Sequence, residues 1–364
     1  MFVRFFYLCI LFFIPAALFA QNDRCGTEEL YQRNQQQNPE YYHRQESFRR
    51  QLTEAVLQKK SKKTAASDAV YTIPVVVHVV HNNSSGFIGG IGNSNISDAQ
   101  ILSQIEILNE DFRRKAGTNG FNSDPIGADA MIEFCLASVD PNGNFTTGIT
   151  RTYNSKSDWK YNFTDETTLK GLVDWPSDQY LNIWVARLSD NVLGYATYPT
   201  NSALTGIPAN TEASLDGVVI DYRTFGKGGA TVSPYNLGRT TTHEVGHWLG
   251  LLHIWGDQYC GNDLVSDTPP DQSPNNDLDC TDFSDCDNDG IKTADLTNDY
   301  MDYSKDACMN LFTAGQKERM RTAIETSPRR RALLSSPGCC ASTLTELPIV
   351  QGFEPTDTES SKWM

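Results

Sequence analysis

The chain has 364 residues, 39% hydrophobic and 21% charged, which are ordinary globular proportions for a main domain with attachments. Its net charge of −15 and the lack of a basic patch exclude a nucleic-acid partner. Such acidity also suits carboxylates gathered around calcium.

Met1 to Ala20 has a short positive start at Arg4, an apolar run from Phe5 to Phe19 and a small residue at Ala20. The run of about 15 residues is short for a membrane span, which needs about 20. We read 1–20 as a secretory signal peptide in preference to an N-terminal anchor, and therefore expect export. No other segment is apolar enough to span a membrane. Cys9 leaves with the signal, and no cysteine stands at the cut where a lipid would be attached.

Residues 21–66 are rich in Gln, Arg, Lys, Glu and Tyr and poor in aliphatics. Glu46 to Lys63 suits a solvated helix. It ends in Lys59-Lys-Ser-Lys-Lys63, a basic run open to proteolysis, so 21–66 reads as a removable pro-segment. A main domain follows at 67–334. Ile73 to Val80 is β-branched and apolar, a buried strand. Ser97 caps a helix whose Ile101, Ile105, Leu108 and Phe112 share a face. Met131–Val139, Tyr180–Leu188 and Gly217–Asp221 read as strands. A glycine-rich loop, Gly226 to Gly238, leads into a histidine-bearing helix. Thr313 begins a helix that runs to Thr326. Strands mixed with two long helices predict an α+β or α/β domain. Residues 335–346 read as a Ser/Pro/Cys linker, and 347–364 as the start of a β-rich domain that is cut short.

Nine cysteines are present. Cys260, Cys280, Cys286 and Cys308 form an even cluster that in an exported chain reads as two disulfides, with three pairings open. No CxxC pair supports a thiolate zinc site. Cys135, in a strand, reads as a buried thiol. The adjacent Cys339 and Cys340 carry no signal, and Cys25 stands alone in the pro-segment.

Three of the six histidines lie in His243-Glu-Val-Gly-His247-Trp-Leu-Gly250-Leu-Leu-His253. His243 and His247, four apart, share one helix face with about 5–6 Å between Cβ atoms. Two such imidazoles can hold zinc, and Glu244 between them reaches a metal-bound water as general base. Gly250 accepts φ > 0 where the helix must turn for His253 to become the third ligand. Three nitrogens with an open fourth position is the catalytic zinc arrangement. Zinc lowers the pKa of its water to about 7; Glu244 takes the proton and passes it to the leaving amine. By this chain's own composition, HExxHxxGxxH arises by chance on the order of once in 10⁵ such chains. His78 and His81 read as strand and loop polar residues.

The extended motif resembles that of the metzincin metallopeptidases. Met301, in Asn298-Asp-Tyr-Met301-Asp-Tyr303-Ser, lies 48 residues after His253 and matches the clan's turn methionine, which floors the metal site without ligating. Tyr303 matches a tyrosine that hydrogen-bonds the tetrahedral intermediate in several members. Within the clan, Asp216-Gly-Val-Val-Ile-Asp-Tyr, His243 to Asp257, Val265-Ser-Asp-Thr-Pro269 and Asp302-Tyr-Ser…Cys308 followed by Phe312-Thr resemble the pappalysin family, with its ulilysin- and mirolysin-like enzymes, over roughly residues 70–330. That likeness implies an α+β metzincin domain. Its upper part would carry a twisted mixed sheet with a backing helix, then the active-site helix, and its lower part would be irregular and disulfide-tied. It also implies the pairs Cys260–Cys286 and Cys280–Cys308, each worth roughly 3–4 kcal/mol on a chain-entropy account.

The resemblance further implies calcium beside the site, with Asp267 and the Thr268 carbonyl as first choices. Asp285-Cys-Asp-Asn-Asp-Gly290 copies the opening of an EF-hand, but Leu296 stands where the loop needs Glu. Related zymogens block zinc with a pro-segment thiolate, a role that falls on Cys25 in Arg24-Cys-Gly26. Relatives place an acid just before the fourth cysteine to receive a basic side chain; Ala307 stands there, so Asp306 is the candidate. The expected function is a secreted zinc endopeptidase acting on protein or peptide substrates. The competing readings are a non-catalytic adhesin on the same scaffold and a zinc amidase for small amides; the intact Glu244 argues against the first.

Overall fold

The structure, a computed structural model, describes residues 24–62, 69–201, 213–276, 279–287 and 289–339. The leader at 1–20 and the stretch 347–364 lie outside the described residues. In chain order come α1 (Thr27–Gln37), α2 (Pro39–Lys62), β1 (Tyr71–His81), α3 (Asp98–Phe112), β2 (Ile132–Leu136), β3 (Ile149–Tyr153), α4 (Phe163–Lys170) and β4 (Leu181–Ala186). Then follow β5 (Gly194–Ala196), β6 (Val218–Asp221), α5 (Arg239–Trp248), the short β7 (Phe283–Ser284) and β8 (Thr293–Ala294), α6 (Ala314–Thr326) and α7 (Pro328–Leu333).

The main sheet runs β2-β1-β4-β6-β5. Strand β1 pairs with β2 through Tyr71–Val75 and with β3 through Val77–His81, so those two short strands follow one another along its edge. All pairs are parallel except β5 with β6, which makes the sheet mixed and leaves β5 as an antiparallel rim strand. Successive strand residues face opposite ways. Ile73, Val75, Val77 and Val79 join Ile101, Leu108 and Phe112 of α3 in the large core, while Val80 joins Trp184, Val219 and Leu169 of α4 in a second. Covering on both faces explains why β1 is an unbroken apolar run. His78 is buried on the second face, hydrogen-bonded to Thr150 and Asn182, and burial lowers it to about 4, so it is a neutral structural residue.

The caps match the sequence: Ser97 accepts from the Gln100 amide, and Thr313 forms a capping box with Gln316. Below α5 the chain is irregular and held by Cys260–Cys286 and Cys280–Cys308, with Cα separations of 5.5 and 5.4 Å.

Three expectations need correction. Helix α2 is not solvated: Tyr41, Gln45, Phe48, Leu52 and Val56 form a buried stripe one residue wide, and Phe48, Leu52 and Val56 pack on Ala323 of α6. One apolar residue per turn among charged and amide neighbours leaves the mean hydropathy low, so composition hides the stripe. Lys59, in the basic run, pairs with Glu318 and Glu325. Cys135 is bonded to Cys339 and is no free thiol; 204 residues separate the pair, so spacing gave no sign of it. Residues 335–339 therefore pack on the domain rather than leaving it as linker, with Ser336 donating to the Gln179 carbonyl and Gly338 set against Pro74 and Tyr180.

One buried ion cluster joins the end of the domain to the end of α5. Asp216 accepts two bonds from Arg330, at 2.5 and 2.8 Å, and one from the Trp248 indole at 2.9 Å, while Arg330 stacks on the Trp248 ring. Burial alone would raise the Asp216 carboxyl, but Arg330 and Arg329 hold it below the usual range. Asp216→Ala strands two buried guanidinium groups and is expected to destabilise the fold by about 3–5 kcal/mol, read as a fall in denaturation midpoint.

Candidate metal centre

Helix α5 is buried along its whole length although it reads Arg-Thr-Thr-Thr-His-Glu-Val-Gly-His-Trp. A polar helix is tolerated there because its groups have partners. Asp111 of α3 accepts from Thr242 at 2.6 Å and pairs with Arg239 at 3.2 Å, and Gln104 accepts from Thr241 at 2.9 Å. The helix starts at Gly238, at φ +77°, with no side-chain cap of its own. Asp306 supplies the anion, accepting from the amides of Leu237 and Arg239 at 2.7 and 3.3 Å. The helix stops at Gly250, whose φ of +92° is the turn expected from the sequence.

The Nε2 atoms of His243, His247 and His253 converge to 3.1–3.2 Å from one another. Each ring's Nδ1 faces a pure acceptor: the Tyr300 carbonyl at 2.7 Å for His243, the Leu251 carbonyl at 2.9 Å for His247 and the Asp257 carboxylate for His253. Each Nδ1 therefore donates, and the three Nε2 atoms point at one spot; burial disfavours charge on His253, but Asp257 and nearby Glu28 and Glu244 raise it. Burial lowers His243 to about 3 and carries His247 well below its usual value, so neither relieves the repulsion by protonation. A shared cation does relieve it. Zinc–nitrogen bonds of 2.0–2.1 Å around a tetrahedral ion separate nitrogens by about 3.3 Å, so this donor set fits zinc. Asp257 was not singled out in the sequence; it orients His253, whose ring also stacks on Trp255 at 4.3 Å.

The other candidates surround this point. Met301 lies beneath α5, where a side chain on Gly246 would come within 2.5 Å of its sulfur. Tyr303 places its ring 5.0 Å from that of His253, and its hydroxyl donates to the Cys25 carbonyl at 3.3 Å. Cys25 is a buried free thiol, and its sulfur lies with the three histidine nitrogens in a group whose ligand atoms are all within 4.8 Å of one another. Burial, and then the charge of Glu244, raise that thiol. Glu244 is pushed up to about 7 by burial, against bonds from Thr27 at 2.8 Å and Cys25 at 3.5 Å.

Arg24 to Gly26 lies along the rim strand β5. The Leu193 amide donates to the Arg24 carbonyl at 2.7 Å, and the Gly26 amide to the Gly194 carbonyl at 2.9 Å. Arg24 reaches the Tyr303 and Asn276 carbonyls and stacks on Tyr235. With Tyr235, Arg239, Asp306 and Met309 it lines a cavity of about 310 Å³ that extends to His243 and Glu244. Asp306 thus borders the expected specificity pocket but also caps α5. Asp267 lies elsewhere: its carboxylate accepts from the Thr313 hydroxyl and the Gly315 amide at the start of α6, while the Thr268 hydroxyl donates to Asp263.

Residues 171–325 match the model of the peptidase M43 family, described as pregnancy-associated plasma protein-A. Extracellular metalloprotease 1 of Coccidioides posadasii is 35% identical over 227 residues, which span 62% of this chain and 68% of the relative. The extracellular metalloprotease of Arthroderma otae is 30% identical over 76% of this chain and 86% of its own. The chain belongs to the pappalysin family. Among solved structures, a promirolysin mutant from Tannerella forsythia superposes on this pappalysin with a TM-score of 0.69 at 39% identity, covering 85% of this chain and 97% of that one. Mature mirolysin in complex with a cleaved peptide gives 0.61 at 43% identity over 73% and 96%. This pappalysin is accordingly a zinc metallopeptidase whose relatives are extracellular. Thr27 and Tyr235 had no sequence signal, because each acts only through a neighbour distant along the chain; Asp257, an acid four residues after the third histidine, did have one. Asp257→Asn is expected to weaken zinc binding about 10–100-fold, measured by competition with a chromogenic chelator.

Proposed function

We propose that the chain is exported through the leader at 1–20 and made as a latent endopeptidase precursor. Its pro-segment, residues 21–66, fills the cleft of a catalytic domain that begins near residue 67. The convergence of three imidazole lone pairs beside a buried carboxylate, with the Cys25 sulfur at the same spot, carries this reading. His243, His247 and His253 would hold zinc, and Cys25 would take the fourth position as thiolate. A bound zinc ion supplies an acidified water and polarises a substrate carbonyl.

Glu244 is the general base. Next to the first histidine, its carboxylate would take a proton from the attacking water and return it to the leaving amine. Tyr303, at the edge of the histidine cluster, can donate its hydroxyl to the developing oxyanion. An extended substrate would use the β5 groups that Arg24 and Gly26 now occupy, adding a strand to the sheet. A basic substrate side chain suits the cavity beside Tyr235 and Asp306, where Arg24 now lies. Calcium has weaker support at Asp267, whose carboxylate already accepts from the Thr313 hydroxyl and the Gly315 amide at the start of α6.

The test compares the precursor with protein cut between Lys59 and Tyr71, using casein and a peptide library. Cut protein should cleave and lose activity to chelator, and Glu244→Ala should lose about 10²–10⁴-fold in kcat. A Cys25→Ala precursor should be active without cutting. Chelator-insensitive cleavage, or full activity in Glu244→Ala, sinks the mechanism; a Cys25→Ala precursor that stays fully latent removes the thiol from latency.

A further inference from the structure

Thr27 is the first residue of α1, and its side chain does nothing for that helix. Gly26 precedes it with no side-chain cap, and the Thr27 hydroxyl turns away from α1 into the cleft. There it meets two groups. The Ala196 amide of β5 lies 2.8 Å from the hydroxyl oxygen, and Glu244 Oε2 lies 2.8 Å away on another side. An amide can only donate, so the hydroxyl accepts from Ala196, and its single proton is left for Glu244. All of this is sealed: Thr27 and Glu244 are each 1% exposed.

The position matters for chemistry. Oε2 is the oxygen that Cys25 also approaches, at 3.5 Å, so it points toward the metal locus, where a reacting water would seek its base. With Thr27 donating to it, one of the two lone pairs on that oxygen is engaged before any water arrives. A valine would keep the bulk of threonine but leave the Ala196 amide without a partner in a buried place and the Glu244 oxygen with only the long contact from Cys25.

We propose that Thr27 is a second latch of the pro-segment, acting on the general base as Cys25 acts on the metal. This rests on the zymogen reading above and adds that latency has two chemically separate parts. The main chain of Arg24 to Gly26 docks on β5 and delivers the two side chains together, one to the histidine cluster and one to Glu244. Thr27 is a positioning residue: it occupies Glu244 and takes part in no reaction. Removing Cys25 alone then leaves a base still engaged and a cleft still filled, so latency falls only in part.

The experiment uses the full-length zinc-loaded precursor and follows the rate at which Cys25 reacts with an aromatic disulfide, over the interval in which mass spectrometry shows the chain uncut. Loss of one or two buried hydrogen bonds makes opening of the pro-segment about ten- to a hundred-fold more frequent. Thr27→Val should therefore accelerate the reaction by about that factor, and Thr27→Ser, which keeps the hydroxyl, should react about as slowly as the parent. In a Glu244→Ala background, where the partner is gone, Thr27→Val should have a smaller effect. Cys25→Ala/Thr27→Val should cleave casein faster than Cys25→Ala. A parent-like rate for Thr27→Val, equal acceleration by serine and valine, or an undiminished effect in Glu244→Ala overturns the proposal. If cut wild-type protein cleaves nothing, the peptidase reading fails, while the thiol rates still decide the place of Thr27.

Discussion

Three imidazole nitrogens directed at one point are unfavourable in a buried cleft without a cation. The rest of the structure follows from holding them there. Each imidazole must be fixed at its far nitrogen, and the three acceptors that do so come from separate places: the carbonyl of Tyr300 in the methionine turn, the carbonyl of Leu251 just beyond the helix, and the carboxylate of Asp257 past the third histidine. The turn at Met301 therefore has two jobs. Its sulfur lies against the backbone at Gly246, and its preceding carbonyl sets the His243 tautomer. Moving the turn would move the floor and a ligand together.

Fixing the rings also dictates how α5 is buried. A helix with this many polar groups cannot rest on an apolar surface, so α3 presents Gln104 and Asp111 toward it among its aliphatic residues. Burial pushes Asp111 up to about 7, while the charge of Arg239 and the Thr242 bond act to keep it ionised. At one end Asp306 holds the first amides; at the other Asp216 and Arg330 grip Trp248. A site that must be rigid is thus enclosed by hydrogen bonds, which specify direction, rather than by apolar contact, which does not.

The parts of this arrangement that could be read from the chain were those whose spacing is itself the chemistry. Histidines four apart on a helix, a glycine where the backbone must turn left-handed and a hydroxyl at each helix start obey local rules, so His243, His247, Gly250, Ser97 and Thr313 were legible. The cysteine pairs of the lower region and the methionine turn became legible through family likeness. What escaped had no local rule. Strand β5 has three residues, too few for a pattern, and exists because β6 lies beside it. Cys135 and Cys339 meet only after the sheet and the final helices are packed. The α2 stripe was diluted by its polar neighbours. Thr27 looks like any threonine until the pro-segment lies across Glu244.

The shape of the pro-segment contact bears on how release must work. Arg24 to Gly26 uses backbone groups of Leu193 and Gly194 that an extended peptide would need, and Arg24 lines the cavity that suits a basic side chain. As an inhibitory segment, this stretch would compete with an extended substrate for the same main-chain partners, and the two could not be bound together. Yet these few contacts belong to a chain that runs on through α1 and α2, where Phe48, Leu52 and Val56 bury against Ala323. Within the intact chain the short inhibitory stretch is held at high local concentration by that helix. Cutting between α2 and β1 breaks no contact in the cleft; it converts an intramolecular partner into one that can diffuse away. If the chain is a latent precursor, its latency would depend on tethering as much as on the affinity of Cys25 for a metal. A segment with a modest grip on each group would suffice while the chain is whole, and the same modest grip would let the cleft empty once it is cut.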